Sequence, residues 1–369
     1  MKFDRRLLFN FDWVFLFIVL AVCAIGLLNM YSAGFNILSV KAGSLCLKQT
    51  MWVLIGLVFM VIGFSLDYRA VTRYAYIFYG IILISLIAVF FIGDMTRGTQ
   101  RWIALGAFSF QPSELMKLAV ILVLARYFSV REKDSNYSLK ELTVPFLLTF
   151  VPFLLIMKQP DLGTALILIF IFVSMVLFIG VEWKVIIGVA STGIILAPFS
   201  WYFLKGYQKE RVLTFFDPES DPLGSGYHIL QSIIAVGSGG FLGKGFLQGT
   251  QSQLRFLPEH QTDFIFSVFA EEWGFIGAFV LLILFLALFV WSIKIARQSR
   301  DYMGTLIAYG ITSLIFWEMI INISMVVGFL PVVGIPLPFM SYGGSSMIVM
   351  MTSVGILISI SIRRFILQP

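Results

Sequence analysis

Long apolar blocks, each bounded by a short polar or basic stretch, recur along the whole chain. Blocks able to cross a hydrocarbon core of about 30 Å lie at 12–32, 50–66, 74–93, 111–128, 142–157, 163–180, 184–204, 263–293, 303–329 and 345–363. Their apolar residues form continuous runs instead of single amphipathic stripes, which is the transmembrane pattern. An all-α polytopic membrane protein with ten transmembrane helices, in one domain over 1–369, is predicted. The fifth block is short and holds Pro145 and Pro152, so it is expected to be irregular or to line a cavity. The eighth is longer than a crossing needs and is expected to tilt or protrude. The first follows Lys2, Arg5 and Arg6 but has no small-residue cleavage site after it, and reads as an uncleaved span.

Composition agrees with the pattern. Hydrophobic residues make up 59% of the chain and charged residues 12%, against about 25% charged in soluble domains. A mean hydropathy of +0.94 leaves no room for a sizeable soluble domain. The formal charge of +6 does not point to nucleic acid, because the basic residues stand singly at block edges, where topology determinants stand. Cys23 and Cys46 are too few for a redox framework, and no disulfide is expected.

Those basic residues orient the spans. With the N-terminus inside, the cytoplasmic segments hold fifteen Lys and Arg and the outer ones ten, of which five lie in the long 205–262 loop. Long loops count little toward this bias, so both termini are expected in the cytoplasm. Lys117 is the remaining basic residue, and it lies inside the fourth block.

The unusual loops then fall on one side. Arg97 to Trp102, Lys158 to Asp161, the 205–262 loop between the seventh and eighth spans, and Pro331 to Gly344 are all expected outside the cytoplasmic membrane. A loop as long as 205–262 in a compact protein usually has a function. No pool of nucleoside triphosphate exists there, so an external catalyst needs a substrate that is already activated. The glycine-rich stretch at 237–245 is no P-loop: Ser238 stands where the first glycine belongs, and Gly245 where Ser or Thr belongs. No nucleotide cofactor is expected.

Charges at or within the membrane are functional candidates because burying them is costly. Glu114 and Lys117, three apart, share one helix face; they read either as a packing ion pair or as a lysine held against an anionic headgroup. Asp263 enters the bilayer near a helix N-terminus. There it either complements the helix dipole or, partly desolvated, serves as a general base. Glu271 and Glu272 lie deeper, and one of them is expected to pair across helices. His260 and His228 read first as polar surface, although His260 is placed to tune Asp263 or bind substrate. No residue spacing marks a closed metal site. An open Mg²⁺ or Mn²⁺ site shared with substrate phosphates would leave no such spacing. Pro331 to Ser345, rich in proline and glycine, can be neither helix nor strand and must be buried or line a cavity. The N–H groups near Gly343 and Gly344 are candidates for facing an anion.

Seven segments carry a resemblance: Gln100 to Ile103, Phe110 to Lys117, Gln159 to Thr164, Asp217 to His228, Gly249 to Gln253, Thr262 to Phe266, and Pro331 to Ser345. Together and in order they resemble the SEDS family (shape, elongation, division and sporulation), with Asp217-Pro-Glu-Ser-Asp closer to its elongation branch. Gln261, before the Thr-Asp pair, departs from the family pattern. The resemblance implies a peptidoglycan glycosyltransferase that polymerises lipid II outside the cytoplasmic (inner) membrane during cell elongation, with a class B penicillin-binding protein as partner. Asp263 matches the family's essential aspartate and would deprotonate the acceptor hydroxyl. Substrate contacts are expected from Arg97, Arg101, Glu114, Lys117, Asp161, Arg211, His260 and Ser341. Of these, Arg101, Lys117 and Arg211 would face the diphosphate of the leaving group. A lipid II flippase is the alternative, and would spread functional charge over both faces; a scaffold that only recruits the transpeptidase is a third reading.

Overall fold

The computed structural model describes residues 11–35, 43–96, 99–105, 108–133, 135–203, 206–218, 224–254, 256 and 261–364. In chain order these form α1 (Trp13–Gly34), α2 (Gly43–Ser65), the short α3 (Tyr68–Arg73) and α4 (Ala75–Ile92). A small antiparallel sheet follows, β1 (Asp94–Thr96), β2 (Thr99–Leu105) and β3 (Phe108–Phe110), in that order. Then come α5 (Pro112–Val130), α6 (Leu139–Lys158), α7 (Leu162–Ile179) and α8 (Trp183–Phe203). The last are α9 (Gly206–Phe216), α10 (Ser225–Ser238), α11 (Thr250–Gln253), α12 (Ile265–Arg297), α13 (Tyr302–Val326) and α14 (Gly344–Arg363).

Ten of the described helices have 18 or more residues, and each overlies one of the ten apolar blocks; the largest shift is at α2, which begins at Gly43. Eight are long and apolar enough to cross a membrane. The other two are α5, which carries Glu114, Lys117 and Arg126, and α8. The 205–262 stretch is not one open loop, since α9, α10 and α11 lie within it. Cys23 and Cys46 are free.

Helix α5 can carry charge because it stands inside the protein. Nearly every residue from Pro112 to Phe128 is buried, against α4, α6, α7, α13 and α14. Helices α2 and α14 cross closely through glycines. A Cβ at Gly355 would sit 2.4 Å from the Met60 carbonyl oxygen and 3.1 Å from Gly63 Cα, the small-residue packing that lets membrane helices approach.

The expected irregularity of the fifth span does not occur: α6 runs unbroken through Pro145 and Pro152. A proline removes the N–H that would bond the carbonyl four residues earlier. Both freed carbonyls find a tyrosine instead. Tyr79 Oη donates to the Leu148 carbonyl at 2.9 Å and Tyr127 Oη to the Glu141 carbonyl at 3.3 Å. Neighbouring helices thus satisfy the backbone polarity that lipid could not.

The long eighth span is interrupted. Gly274 has φ 62° and ψ −161°, which breaks α12 into two. Four backbone groups lose their helical partners there, and residues 240–245 supply replacements. Phe275 N donates to Gly240 O at 2.9 Å, and Ile276 N to Phe241 O at 3.2 Å. In return Lys244 N donates to Glu271 O and Gly245 N to Glu272 O, both at 3.0 Å. The glycines of the false P-loop make room for this: a Cβ at Gly243 would lie 2.1 Å from Glu272 O.

A polar junction ties α3 to α13. Arg69 Nε lies 2.8 Å and Tyr68 Oη 3.0 Å from Asp301 Oδ2, while Asp301 Oδ1 caps α13 by accepting the Gly304 N–H at 2.8 Å. Burial, reinforced by the Asp301 charge, pushes the Tyr68 phenol up to about 12.

Candidate active site

Asp263 lies on a four-residue turn, 261–264, that leads into α12. This turn is bonded to the proline-rich segment between α13 and α14. Ser341 Oγ donates to Thr262 O at 2.7 Å, Tyr342 N donates to Gln261 O at 2.9 Å, and Ser341 Oγ accepts from Leu337 N at 2.8 Å. The unusual Gln261 therefore contributes its backbone here. Asn322, on α13, holds both pieces: its Nδ2 donates to Asp263 O at 2.9 Å and to Ile335 O at 2.7 Å. The Asp263 side chain is partly exposed and lies against Gly334, where a Cβ would sit 3.4 Å from Asp263 Oδ2. With φ at +75°, Gly334 adopts a backbone conformation that suits glycine.

The proline-rich segment is also held from α2. Gln49, from α2, donates through Nε2 to Ser341 O at 3.1 Å and accepts the Gly343 N–H at 3.3 Å. The Trp52 ring covers Gly344, where a Cβ would fall 2.5 Å from the indole. The Gly343 N–H expected to face an anion is thus bonded to a side chain.

Asp161 belongs to the same neighbourhood. It caps α7, accepting Thr164 N at 3.3 Å through Oδ1, and Thr164 Oγ1 at 3.0 Å and Gln111 Nε2 at 3.1 Å through Oδ2. Two residues on, Gly163 abuts the proline-rich segment; a Cβ there would lie 2.7 Å from Val333 O and 3.4 Å from Gly334 O. Gly334 therefore neighbours both Gly163 and Asp263. Arg101, on β2, braces this corner: Nε donates to Gln159 O at 3.1 Å, Nη2 donates to Pro160 O, and Nη1 is 3.9 Å from Asp161 Oδ1. Arg101 stays 26% exposed while Asp161 is 3% exposed, so the arginine is the member open to a ligand.

Glu114 and Lys117 form the expected ion pair, deeper in the bundle. Lys117 Nζ lies 2.9 and 2.8 Å from the two Glu114 oxygens and 2.5 Å from Glu318 Oε1, and all three side chains are enclosed. The ammonium's three donors are consumed by these contacts. Glu318 and Asn322 escaped the sequence reading, although a carboxylate and an amide one helical turn apart inside an apolar span were signal enough. Of the two deep glutamates, Glu271 accepts from Lys244 Nζ at 2.7 Å, Thr250 N at 2.8 Å and Gln251 N at 3.1 Å, fastening α11 to α12. Glu272 accepts from the Ser32 hydroxyl of α1, so each pairs outside its own helix.

Asp263, Ser341, Asp161 and Arg101 therefore gather around Gly334, and Lys117 with Glu114 adjoins them through α13. Arg211 lies on α9, half-buried. Arg97 and His260 lie outside the described residues. Among the described residues no group of three His, Cys, Asp or Glu is placed to hold a metal ion.

The family described as "Cell cycle protein", covering FtsW, RodA and SpoVE, matches residues 12–365. Peptidoglycan glycosyltransferase MrdB of Escherichia coli is 42% identical over 97% of this chain and 95% of its own. Peptidoglycan glycosyltransferase RodA of Treponema pallidum is 33% identical over 96% and 98%. Among solved structures, a peptidoglycan synthase complex described as coordinating polymerization and crosslinking contains a chain with TM-score 0.82 and 32% identity, covering 96% of this chain and 98% of that one. The Rod shape determining protein RodA of Thermus thermophilus matches with TM-score 0.70 and 27% identity over the same shares. With a fold and a sequence shared from end to end, the chain belongs to the FtsW, RodA and SpoVE family of cell-cycle proteins, the SEDS family.

Proposed function

We propose that this chain is a peptidoglycan glycosyltransferase that polymerises lipid II during cell elongation. In this reading all ten long helices cross the inner membrane, both termini are cytoplasmic, and the Asp263 site and the 205–262 segment face outward. The observation that carries it is the placement of one partly exposed carboxylate, Asp263, against Gly334, on a turn bonded both to the proline-rich segment and to Asn322 of α13.

That arrangement suits an inverting transfer. Asp263 takes the proton from the GlcNAc 4-hydroxyl of the acceptor lipid II. The oxygen attacks the anomeric carbon of the growing strand, and the bond to undecaprenyl diphosphate breaks as the new β-linkage forms. A base positioned by packed neighbours acts without reorganisation. Arg101 and Arg211, with Arg97 and His260, meet the diphosphate and sugars. Asp161 and Ser341 hold the site's walls, and Glu114 and Lys117 hold the helices behind it. The leaving group supplies the activation, so no nucleotide is needed. Mg²⁺ or Mn²⁺ would screen the diphosphate charge, held mainly by phosphate oxygens and water. A class B penicillin-binding protein would cross-link the emerging strand.

The test is polymerisation of lipid II by the purified protein with its transpeptidase partner, comparing native protein with Asp263→Ala. Native protein should make glycan chains and the variant none, and chelation followed by Mg²⁺ or Mn²⁺ should abolish and restore the activity. A native protein that moves lipid II between leaflets but makes no polymer would establish the flippase reading instead. Normal polymerisation by Asp263→Ala would remove the general base.

A further inference from the structure

Two acceptor oxygens are buried on one face of α13 without a hydrogen-bond partner among the described residues: Glu318 Oε2 and Asn322 Oδ1. Both residues are at 0% exposure. Residues four apart on a helix have Cβ atoms about 6 Å apart, and polar pairs at that spacing hydrogen-bond. An enclosed carboxylate oxygen and amide oxygen, each stripped of water and given no donor, are both unfavourable. One proton between them satisfies both.

Charge balance requires the same proton. Among the described residues Lys117 is the cation paired with Glu318, and its ammonium also holds both Glu114 oxygens. With both glutamates ionised the cluster would carry one excess negative charge inside the helix bundle, where uncompensated charge is most costly. With a proton on Glu318 Oε2 the cluster is neutral. Lys117 is then balanced by Glu114 and still bonded to Glu318 Oε1.

The Asn322 amide is already committed. Its nitrogen donates to Asp263 O and Ile335 O, so both N–H groups are spent and its oxygen can only accept. We propose that Glu318 is a protonated positioning residue whose carboxyl O–H donates to Asn322 Oδ1, fixing the amide that clamps the Asp263 turn to the proline-rich segment. The proposal rests on the reading of Asp263 as general base. It gives the enclosed Lys117 cluster a physical route to the reacting site, through Glu318 and Asn322.

The test compares Glu318→Gln, which keeps a donor at this position, with Glu318→Ala, which removes it, and Asn322→Ala, which removes the amide that it would fix. In lipid II polymerisation Glu318→Gln should stay close to native. Each alanine variant should lose about 10²-fold in kcat with little change in KM, the loss expected from an approximately 1 Å misplacement of a catalytic group. Equal impairment of Glu318→Gln and Glu318→Ala would overturn the proposal, as would native rates in the alanine variants. Infrared spectroscopy supplies a readout independent of activity. Native protein should show the C=O stretch of a protonated carboxylic acid, sensitive to D2O and missing from Glu318→Gln; absence of that band from the native spectrum would equally overturn it. If Asp263→Ala polymerises normally while the band is present, the general-base reading fails and the protonated Glu318 stands.

Discussion

The hydroxyl of Ser341 donates to the carbonyl of Thr262 at 2.7 Å, immediately before Asp263, and accepts the Leu337 N–H at 2.8 Å. One small side chain therefore joins the turn that carries the carboxylate to the segment that forms its wall. The bond runs between two irregular stretches, so the position of Asp263 depends on a loop-to-loop contact as well as on helix packing.

Replacing Ser341 with Ala leaves the Leu337 N–H and the Thr262 C=O without that hydroxyl, at about 1–3 kcal/mol for each group left unsatisfied. Ser341→Ala should fold with a lowered melting temperature and polymerise lipid II slowly at little-changed KM. Ser341→Thr, which keeps the hydroxyl, should recover part of the rate. A native rate in Ser341→Ala would mean that the contact does not position the base.

Arg101 bonds two consecutive carbonyls, Gln159 and Pro160, and lies beside Asp161. A guanidinium makes those contacts as a planar fork, and an ammonium cannot. Arg101→Lys should therefore lose nearly as much polymerase activity as Arg101→Ala, despite keeping its charge. Full activity in the lysine variant would show that charge alone matters at this corner.

The tyrosines that cap the proline-freed carbonyls of α6 should matter for stability and not for chemistry. Tyr79→Phe and Tyr127→Phe each remove one hydroxyl, which should cost about 1–3 kcal/mol as a carbonyl is left unsatisfied. Thermal unfolding in detergent should start lower for both, with Tyr79→Phe the larger effect because its bond is shorter, 2.9 Å against 3.3 Å. Specific activity of the folded fraction should be unchanged.

Gly274→Ala should be severe. The residue has φ 62°, and a Cβ there would meet Gly243 N at 2.3 Å. Strain and overlap add, at about 1–3 kcal/mol for each. Faster proteolysis within 239–254, compared with native protein, would report that the stretch has come away from α12. An unchanged cleavage pattern would contradict the pairing.

The helices were legible because each is a long apolar block, a signal local to its own residues. The features that escaped depend on distant partners. Pro145 and Pro152 predict an irregular or cavity-lining α6, and only Tyr127 and Tyr79, from other helices, explain why it runs unbroken. The break at Gly274 needed residues 240–245, whose glycines looked locally like a failed phosphate loop. The β1–β3 sheet is short, and its strands fall where Arg97 to Trp102 is expected as an unusual loop. In the site, Asp263, Asp161 and Ser341 stood out through motifs, and the structure gathers them around Gly334. Glu318 and Asn322 were hidden in an apolar span that already satisfied the pattern for a membrane helix.

The exchange of backbone bonds around Gly274 also bears on how the protein is made. Once α12 is broken, the Phe275 and Ile276 N–H groups have lost their helical acceptors, and apolar surroundings would offer none in their place. Their acceptors, Gly240 and Phe241, precede α12 in the chain and leave the ribosome first. Order of synthesis therefore delivers the patch before the break that it covers. A circular permutant that placed residues 239–245 after α12 would encode the same contacts but would make the broken helix before its cover.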